Sequence, residues 1–246
     1  ALLDAFDIVA WDPRGTGYSE PAVDCVDDYD RYFAVDSSPD DQAEQDELVG
    51  LAEEFVQGCV DRMGDVLAHL STADSARDMD AIRRALGEEQ ISYFGFSYGS
   101  ELGATWATMF PTTVRAAVLD GAVDPTVGYL AQNVQQAAGF ETTFATFLAQ
   151  CSADPACAFH NGGDAEGAFD ALAAAADAAP VPTEAGRPPV TQGVLYTAVS
   201  DAMYSQGSWG QLEQALADLQ AGDAGGILDL YDDYYGYEGG GEWDDS

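Results

Sequence analysis

The chain of 246 residues carries 44 acidic side chains against 8 basic ones, and its formal net charge of −36 would repel phosphate backbones and anionic lipid surfaces. Hydrophobic residues make up 47% of the sequence, so the composition supports a folded core rather than wholesale disorder. No apolar run approaches the roughly 18 residues that a membrane-spanning helix requires, so we expect neither nucleic acid nor a membrane as a partner.

The first part of the chain alternates predicted strands and helices. In chain order these are a buried strand at 6–12, a mostly helical segment at 36–70, a helix at 71–87, a strand at 91–96, a helix at 97–110 and a strand at 114–120. The helix at 71–87 has its cap at Ser71 or Thr72 and its end at Gly87. Its predicted buried stripe is Met79, Ile82 and Leu86. This alternation predicts a parallel α/β sheet with right-handed crossovers.

The character of the sequence changes after residue 125. Through residue 220 it is rich in Ala, Gln and Leu at helical spacing, interrupted by CSADPAC, HNGGD and APVPTEAGRPP. The end, YDDYYGYEGGGEWDDS, is acidic, aromatic and rich in glycine, so we expect it to be irregular. We therefore predict two domains, an α/β core at 1–125 and a helical region at 126–246.

The four cysteines predict two disulfides. Cys151 and Cys157 bracket a loop of five residues that contains a proline, so we expect them to pair with each other. Cys25 and Cys59 then form the second pair, and the alternative is four buried free thiols. Two disulfides indicate a secreted or extracellular protein.

The segment GFSYG at 95–99 follows a predicted strand and precedes a predicted helix, which is the context of a catalytic serine turn. Gly95 and Gly99 let the strand and the helix approach closely around it. The turn would present the hydroxyl of Ser97 as a nucleophile. The backbone N–H of Tyr98 would point at the position where an oxyanion forms. The alternative is an ordinary glycine-rich turn.

Several acidic and basic residues are candidates for supporting roles. Asp120 ends the strand at 114–120 and is an alternative for the acid of a catalytic triad, although an Asp in a turn at the end of a strand is also common. Glu101 lies one turn after Ser97 and could bind a substrate ammonium group or simply favour the helix N-terminus. Asp12 and Arg14, in WDPRG, are expected to brace a loop near the site.

The chain holds only two histidines, and neither is well placed to activate Ser97. His69 lies just before the helix at 71–87, and His160 lies in a polar loop after Cys157. A general base must lie within hydrogen-bonding reach of the proton it removes, and we expect neither histidine to do so. There is no CxxC motif and no histidine spacing typical of zinc sites, so we expect no metal and no cofactor.

Together these segments resemble the α/β-hydrolase-fold serine exopeptidases, above all the secreted actinobacterial tripeptidyl aminopeptidases and their proline iminopeptidase relatives. The resemblance covers residues 5–125 and rests on FDIVAWDPRGTGYSEP, DSARDMDAIRRALG, ISYFGFSYGSELGATWATMFP and VRAAVLDGAVDP. It implies an α/β-hydrolase core with an inserted helical cap. It also implies cleavage of peptides at a free N-terminus through an acyl-enzyme on Ser97.

The sequence departs from this family in what surrounds the core. The family places its acid and histidine on late strands, and it has a glycine-rich oxyanion loop that precedes the equivalent of FDIVAWD. Here no signal peptide is visible, and the first residues lead directly into an apolar run, which is typical of a start in mid-domain. We therefore interpret the chain as an internal fragment. The strand at 6–12 should then not pair with the strand at 91–96, and this chain alone should be inactive.

Two other functions stay open. A carboxylic-ester hydrolase on the same fold would carry the same serine turn, because the turn does not distinguish an ester from an amide. A non-catalytic remnant or binding module would be favoured if the whole protein lacked a late acid and histidine.

Overall fold

The computed structural model describes residues 4–243, apart from the side chain of Glu242. Within that range the helices are α1 (Asp30–Phe33), α2 (Gln42–Met63), α3 (Thr72–Ala85), α4 (Tyr98–Met109), α5 (Tyr129–Ala153), α6 (Ala165–Ala178), α7 (Gln192–Met203), α8 (Trp209–Gln220) and α9 (Gly225–Tyr235). The strands are β1 (Ile91–Phe96), β2 (Val114–Asp120), β3 (Tyr237–Gly239) and β4 (Glu242–Trp243). No helix in this range combines the length and apolar composition that crossing a membrane requires.

The described residues divide into two compact units. The first unit comprises 4–24 and 59–135, and the second comprises 25–58 and 136–243. The segment 25–58 thus lies with the second unit, whereas the predicted core ran without interruption from 1 to 125. Its aromatic residues account for this placement, because Tyr29 and Phe33 pack with Tyr235 and Trp243 near the other end of the chain.

The first unit is built on a parallel pair of strands. β1 pairs with β2 from Ile91 opposite Val114 to Phe96 opposite Asp120, and the strand–helix–strand order is the predicted one. A small core joins α3 and α4 over this pair, in which Met79 and Trp106 are each at most 1% exposed. The parallel α/β arrangement predicted from the sequence is confirmed.

Two expectations for the first unit are wrong. Residues 6–12 form no strand, and Phe6, Ile8 and Val9 are 45–57% exposed. A strand requires a hydrogen-bonded neighbour, and among the described residues β1 pairs with β2 alone. The expectation that 6–12 and 91–96 do not pair with each other is confirmed. Leu86 is 53% exposed rather than buried, because α3 ends at Ala85 and the chain turns away at Gly87, whose φ is +77°.

An aromatic ring fills the space beneath the turn between β1 and α4. The hydroxyl of Tyr93 on β1 donates a hydrogen bond of 2.7 Å to the carbonyl of Gly99. A methyl group at Gly95 would overlap the Gly99 carbonyl and the Tyr93 ring, and one at Gly103 would overlap the Tyr93 ring and Leu119. The glycines are therefore required by the close approach of the strand, the ring and the helix.

The second unit is helical, as predicted, and its largest core lies around α7, α8 and α9. Leu195, Leu212, Leu216, Ile227 and Leu230 are completely buried there. The end of the chain is more ordered than predicted. α9 runs to Tyr235, Gly236 ends it with a left-handed φ of +70°, and β3 and β4 form a short antiparallel pair.

A buried arginine organises that end of the second unit. The Arg187 guanidinium is 5% exposed and bonds both carboxylate oxygens of Asp232, at 2.7 and 2.5 Å, and Asp30 at 3.0 Å. It also lies 3.5 Å from the ring centroid of Tyr237 on β3. Burial lowers the pKa of Arg187, but the hydrogen bonds to Asp232 and Asp30 more than offset this, so the pKa is raised above its ordinary value.

Every one of the eight arginines forms an ion pair. The other seven arginines are all more exposed than Arg187, and two of them share Asp80 on α3 as their partner. The partners are Asp78 for Arg14, Glu54 for Arg31, Asp24 for Arg62, Asp74 for Arg77, Asp80 for Arg83 and Arg84, Glu88 for Arg115, and Asp30 and Asp232 for Arg187.

Replacement of Arg187 should strongly destabilise the protein. Arg187→Met leaves two largely buried carboxylates without their cation, and we expect a loss of about 3 kcal/mol in the free energy of unfolding. Urea denaturation followed by tryptophan fluorescence measures this loss. Arg31→Met is the control, since it breaks an exposed pair with Glu54 in the same unit and should barely move the midpoint. Equal midpoints for the two variants would contradict the role given to Arg187.

Two helical glycines provide a matched test of the packing around Tyr93. Gly103→Ala places a methyl group against a buried ring and should destabilise the protein by about 1–3 kcal/mol. Gly139→Ala, on α5, meets no atom within 4 Å and should stabilise it by up to about 1 kcal/mol through helix propensity. Both values come from urea denaturation. A Gly103→Ala protein as stable as the parent would show that the ring has room to move.

Candidate active site

Ser97 occupies the turn between β1 and α4, in a backbone conformation that few non-glycine residues adopt. Its φ is +48° and its ψ is −118°. Among the described residues the other non-glycine residue with positive φ is Asn161. Such a conformation costs about 1–3 kcal/mol and persists where the surrounding structure imposes it. The expected strand, strained turn and helix are thus present, with the side chain of Ser97 on the surface of the unit.

Hydrogen bonds on both sides hold the backbone of Ser97. Its N–H donates to the carbonyl of Asp120 at 2.9 Å, which ties the turn to the end of β2. Its carbonyl accepts from the N–H of Ser100 at 2.8 Å and from the hydroxyl of Ser100 at 2.6 Å. The hydroxyl of Ser97 has no hydrogen-bond partner in the part of the chain that the structure describes, and its role as a nucleophile stays a prediction.

Tyr98 is the first residue of α4. The first N–H groups of a helix have no intrahelical acceptor, and the helix dipole places partial positive charge there. The Tyr98 side chain is tied back, since its hydroxyl lies 2.9 Å from that of Thr72, the first residue of α3. The geometry fits the expectation that the N–H of Tyr98 faces a developing oxyanion, and that role stays a prediction.

Asp120, the last residue of β2, and Asp124, in the loop after it, have different surroundings. Asp120 contributes its carbonyl to the Ser97 turn, while its side chain is exposed. The carboxylate of Asp124 accepts from the hydroxyl and the N–H of Thr126, at 2.7 and 2.9 Å, and these bonds lower its pKa. Neither carboxylate is hydrogen-bonded to a histidine within the described residues. The assignment of Asp120 as an alternative acid stays a prediction.

Glu101 lies in the first turn of α4 and is half-buried. No hydrogen bond or ion pair engages its carboxylate within residues 4–243. A negative charge at this position favours the helix N-terminus whether or not it also meets a substrate. The structure therefore leaves Glu101 available to a cationic group, and substrate binding stays a prediction.

Asp12 and Arg14 hold the loop that follows residue 11. The carboxylate of Asp12 accepts from the N–H of Tyr18 at 2.8 Å. Arg14 donates two bonds to the Asp78 carboxylate on α3, at 2.7 and 2.6 Å, and a third to the carbonyl of His69 at 2.7 Å. The hydrogen bonds to Asp78 raise the pKa of Arg14. Both side chains therefore act within this loop as braces.

Neither histidine is bonded to Ser97. His69 ends a 3₁₀ helix, Gly64–His69, and its backbone carbonyl accepts from Arg14. The Nδ1 of His160, in the second unit, lies 3.1 Å from the carbonyl of Cys151 and donates to it, since a carbonyl can only accept. The described residues thus supply an exposed serine hydroxyl and a helix N-terminus but no histidine bonded to that hydroxyl.

The structure adds residues that the motif did not reveal. Ser100 is 1% exposed, and its hydroxyl bonds both the Ser97 carbonyl and the N–H of Val123, the latter at 2.9 Å. Tyr93 and Thr72 support the turn as described above. The position of Ser100 in the sequence is itself a signal. It lies one turn after Ser97 on the helix face that carries Gly103, and a hydroxyl on a buried face needs hydrogen-bond partners.

All four cysteines are disulfide-bonded. Cys151 and Cys157 are joined, with Cα atoms 5.2 Å apart. Cys25 and Cys59 are also disulfide-bonded, so the alternative of four free thiols is wrong. Within residues 4–243, sulfur and carboxylate ligands converge at Cys151, Cys157 and Glu213, but the disulfide leaves no thiolate there to bind a metal. The absence of metals and cofactors stays a prediction.

Comparison with known proteins gives the same picture as the geometry. A family model for the alpha/beta hydrolase fold matches residues 1–161. The chain is 34% identical to serine protease Hip1 of Mycobacterium tuberculosis, over 99% of this chain and 49% of that protein. It is 40% identical to carboxylesterase B of the same species, over 98% and 47%, and 34% identical to the tripeptidyl aminopeptidase of Streptomyces lividans, over 92% and 42%.

The chain spans about half the length of the curated relatives it matches. The matches nevertheless cover the whole serine turn and both strands that form it. The resemblance stated from the sequence is confirmed at the level of the family. The chain belongs to the α/β-hydrolase fold family.

Proposed function

We propose that this chain carries the nucleophile of a serine hydrolase that removes residues or short peptides from substrates with a free N-terminus. The observation that carries the proposal is the strained, exposed Ser97 between a parallel strand and a helix N-terminus. A chain maintains a strained backbone where function requires it, and this turn presents a hydroxyl beside unpaired N–H groups.

The chemistry follows from this arrangement. The Ser97 oxygen attacks the substrate carbonyl while a base takes the hydroxyl proton, and the carbonyl oxygen becomes an oxyanion facing the Tyr98 N–H. The tetrahedral intermediate collapses to an acyl-enzyme when the leaving amine receives that proton. Water then attacks the acyl carbonyl, the base again takes a proton, and the Ser97 hydroxyl is restored as the acid product leaves.

The base and its acid partner are proposed to come from residues outside this chain. His69 and His160 make their contacts elsewhere, and neither is bonded to Ser97. The relatives are about twice as long as the matched region, so a whole protein of that size has room for an acid and a histidine. On this proposal the 246 residues alone have at most trace activity, because loss of the base typically costs about 10⁴-fold or more.

Recognition of a free N-terminus would suit the charge of the protein. Glu101 stands one turn from Ser97 without an internal partner, so it is proposed to bind the substrate ammonium group. Two relatives support a peptidase, being named tripeptidyl aminopeptidase and serine protease. A relative named carboxylesterase B, 40% identical, supports a second candidate, the hydrolysis of carboxylic esters.

The first experiment tests the nucleophile and the substrate class together. The whole protein that contains this chain is assayed on a tripeptidyl chromogenic amide, on the same amide with an acetylated N-terminus, and on a short acyl ester. We expect the free amide to be cleaved far faster than the acetylated one. Ser97→Ala should lower the rate by about 10⁴-fold or more. Ser92→Ala, an exposed serine on β1, is the matched control and should retain activity.

The outcomes separate the candidates. Equal cleavage of the free and acetylated amides would contradict recognition of a free N-terminus. Turnover of the ester with no turnover of either amide would favour the esterase. Full activity in Ser97→Ala would contradict any acyl-enzyme on this residue, and comparable turnover by the 246 residues alone would show that the base lies within them.

Secretion is proposed from the disulfides, since bonds of this kind persist in oxidising compartments. Peptide mapping of the unreduced protein, taken from culture medium and from cells of the native host, should give Cys25–Cys59 and Cys151–Cys157 in the medium. Four free thiols in protein confined to the cytoplasm would contradict this localisation.

A further inference from the structure

Ser100 is a buried hydroxyl that the reaction itself does not use. It lies one turn after Ser97 on α4 and is 1% exposed. A buried hydroxyl needs hydrogen-bond partners, and those of Ser100 belong to two different parts of the site. Its hydroxyl donates a hydrogen bond of 2.6 Å to the carbonyl of Ser97 and accepts one of 2.9 Å from the N–H of Val123.

The second of these bonds reaches the loop that follows β2. That loop begins at Gly121, whose φ is +63°, and the position of a side-chain carbon on Gly121 would lie 3.7 Å from the Ser97 nitrogen. Asp120, the residue before it, accepts the N–H of Ser97. The loop and the nucleophile therefore lie side by side, joined by one bond through the backbone and by one through the Ser100 hydroxyl.

We propose that Ser100 is a positioning residue, whose hydroxyl holds the Ser97 carbonyl and the Val123 amide together and so fixes the geometry from which Ser97 attacks. This rests on the proposed function in so far as Ser97 is the nucleophile. A strained backbone relaxes when the contacts that impose it are removed. Without the hydroxyl, the Ser97 carbonyl retains one hydrogen bond, from the N–H of Ser100, and the Val123 N–H loses its acceptor.

A hydroxyl on a helix often bonds a carbonyl of the preceding turn with no effect beyond the helix. Thr108, on the same helix, is such a case, because it is exposed and its hydroxyl bonds the carbonyl of Ala104 at 2.8 Å. Ser100 differs from Thr108 in burial and in its bond to a separate loop. Thr108→Val is therefore a matched control that removes a local hydroxyl bond on α4 and leaves the turn intact.

The test compares Ser100→Ala, Ser100→Thr and Thr108→Val in the whole protein. The first readout is the rate constant with which a fluorophosphonate phosphonylates Ser97, with loss of fluoride, together with kcat and KM on the tripeptidyl amide. The second is hydrogen exchange at the Val123 amide, and thermal melting verifies that each variant is folded. Small misplacements of reacting groups cost up to about 100-fold in rate.

For Ser100→Ala we expect the phosphonylation rate constant and kcat to fall by about 10- to 100-fold with KM nearly unchanged, and faster hydrogen exchange at the Val123 amide. Ser100→Thr should recover most of the rate, and Thr108→Val should behave as the parent. A parental phosphonylation rate in Ser100→Ala, or a rate equally low in Ser100→Thr, would overturn the proposal.

Failure of the proposed function would look different. In that case Ser97 of the parent protein would not react with the fluorophosphonate at all. Exchange at Val123 would then decide the inference alone: faster exchange in Ser100→Ala supports the anchoring of the loop, and parental exchange overturns it.

Discussion

The positive φ of Ser97 is the constraint around which the first unit is arranged. For a strand to turn into a helix at a single residue, the two elements must approach with almost nothing between them. Gly95 and Gly103 leave that space, and the ring of Tyr93 fills what remains beneath the turn. The bonds from Asp120 and Ser100 then fix the backbone on both sides. β2 and α4 thus each contribute a hydrogen bond to the backbone of this one residue, and the loop after β2 is bonded to Ser100.

The parts of the structure governed by local chemistry could be predicted from the sequence. Ser71 caps α3 by accepting the N–H of Asp74, and the left-handed Gly87 ends it, as their residue types indicate. The turn at Ser97 could be predicted because Gly95 meets a steric requirement that few other residues satisfy, whereas the expected requirement for glycine at 99 is wrong, since a methyl group there would make only an ordinary contact with Tyr93. The pairing of Cys151 with Cys157 could be predicted because the two residues are only six positions apart in the sequence.

The rest depends on distant partners that no local pattern encodes. Residues 6–12 have the composition of a strand, but a strand exists only with a neighbour, and composition does not say whether one is present. The order at the end of the chain depends on Arg187, far from Tyr237 in sequence, and the aromatic contacts of Tyr29 and Phe33 assign 25–58 to the second unit. At the candidate site, one of the two partners of the Ser100 hydroxyl is the N–H of Val123, which follows another strand.

The pairing of every arginine has a consequence for the environment in which the protein is stable. Eight cations are already committed to internal ion pairs, so the charge of −36 that remains has no basic counterpart in the chain. Carboxylates spread over such a surface repel one another, and dissolved cations reduce that repulsion by screening it within about 10 Å at 0.1 M salt. The stability of this fold should therefore depend on dissolved cations, which supply the positive charge that the sequence lacks.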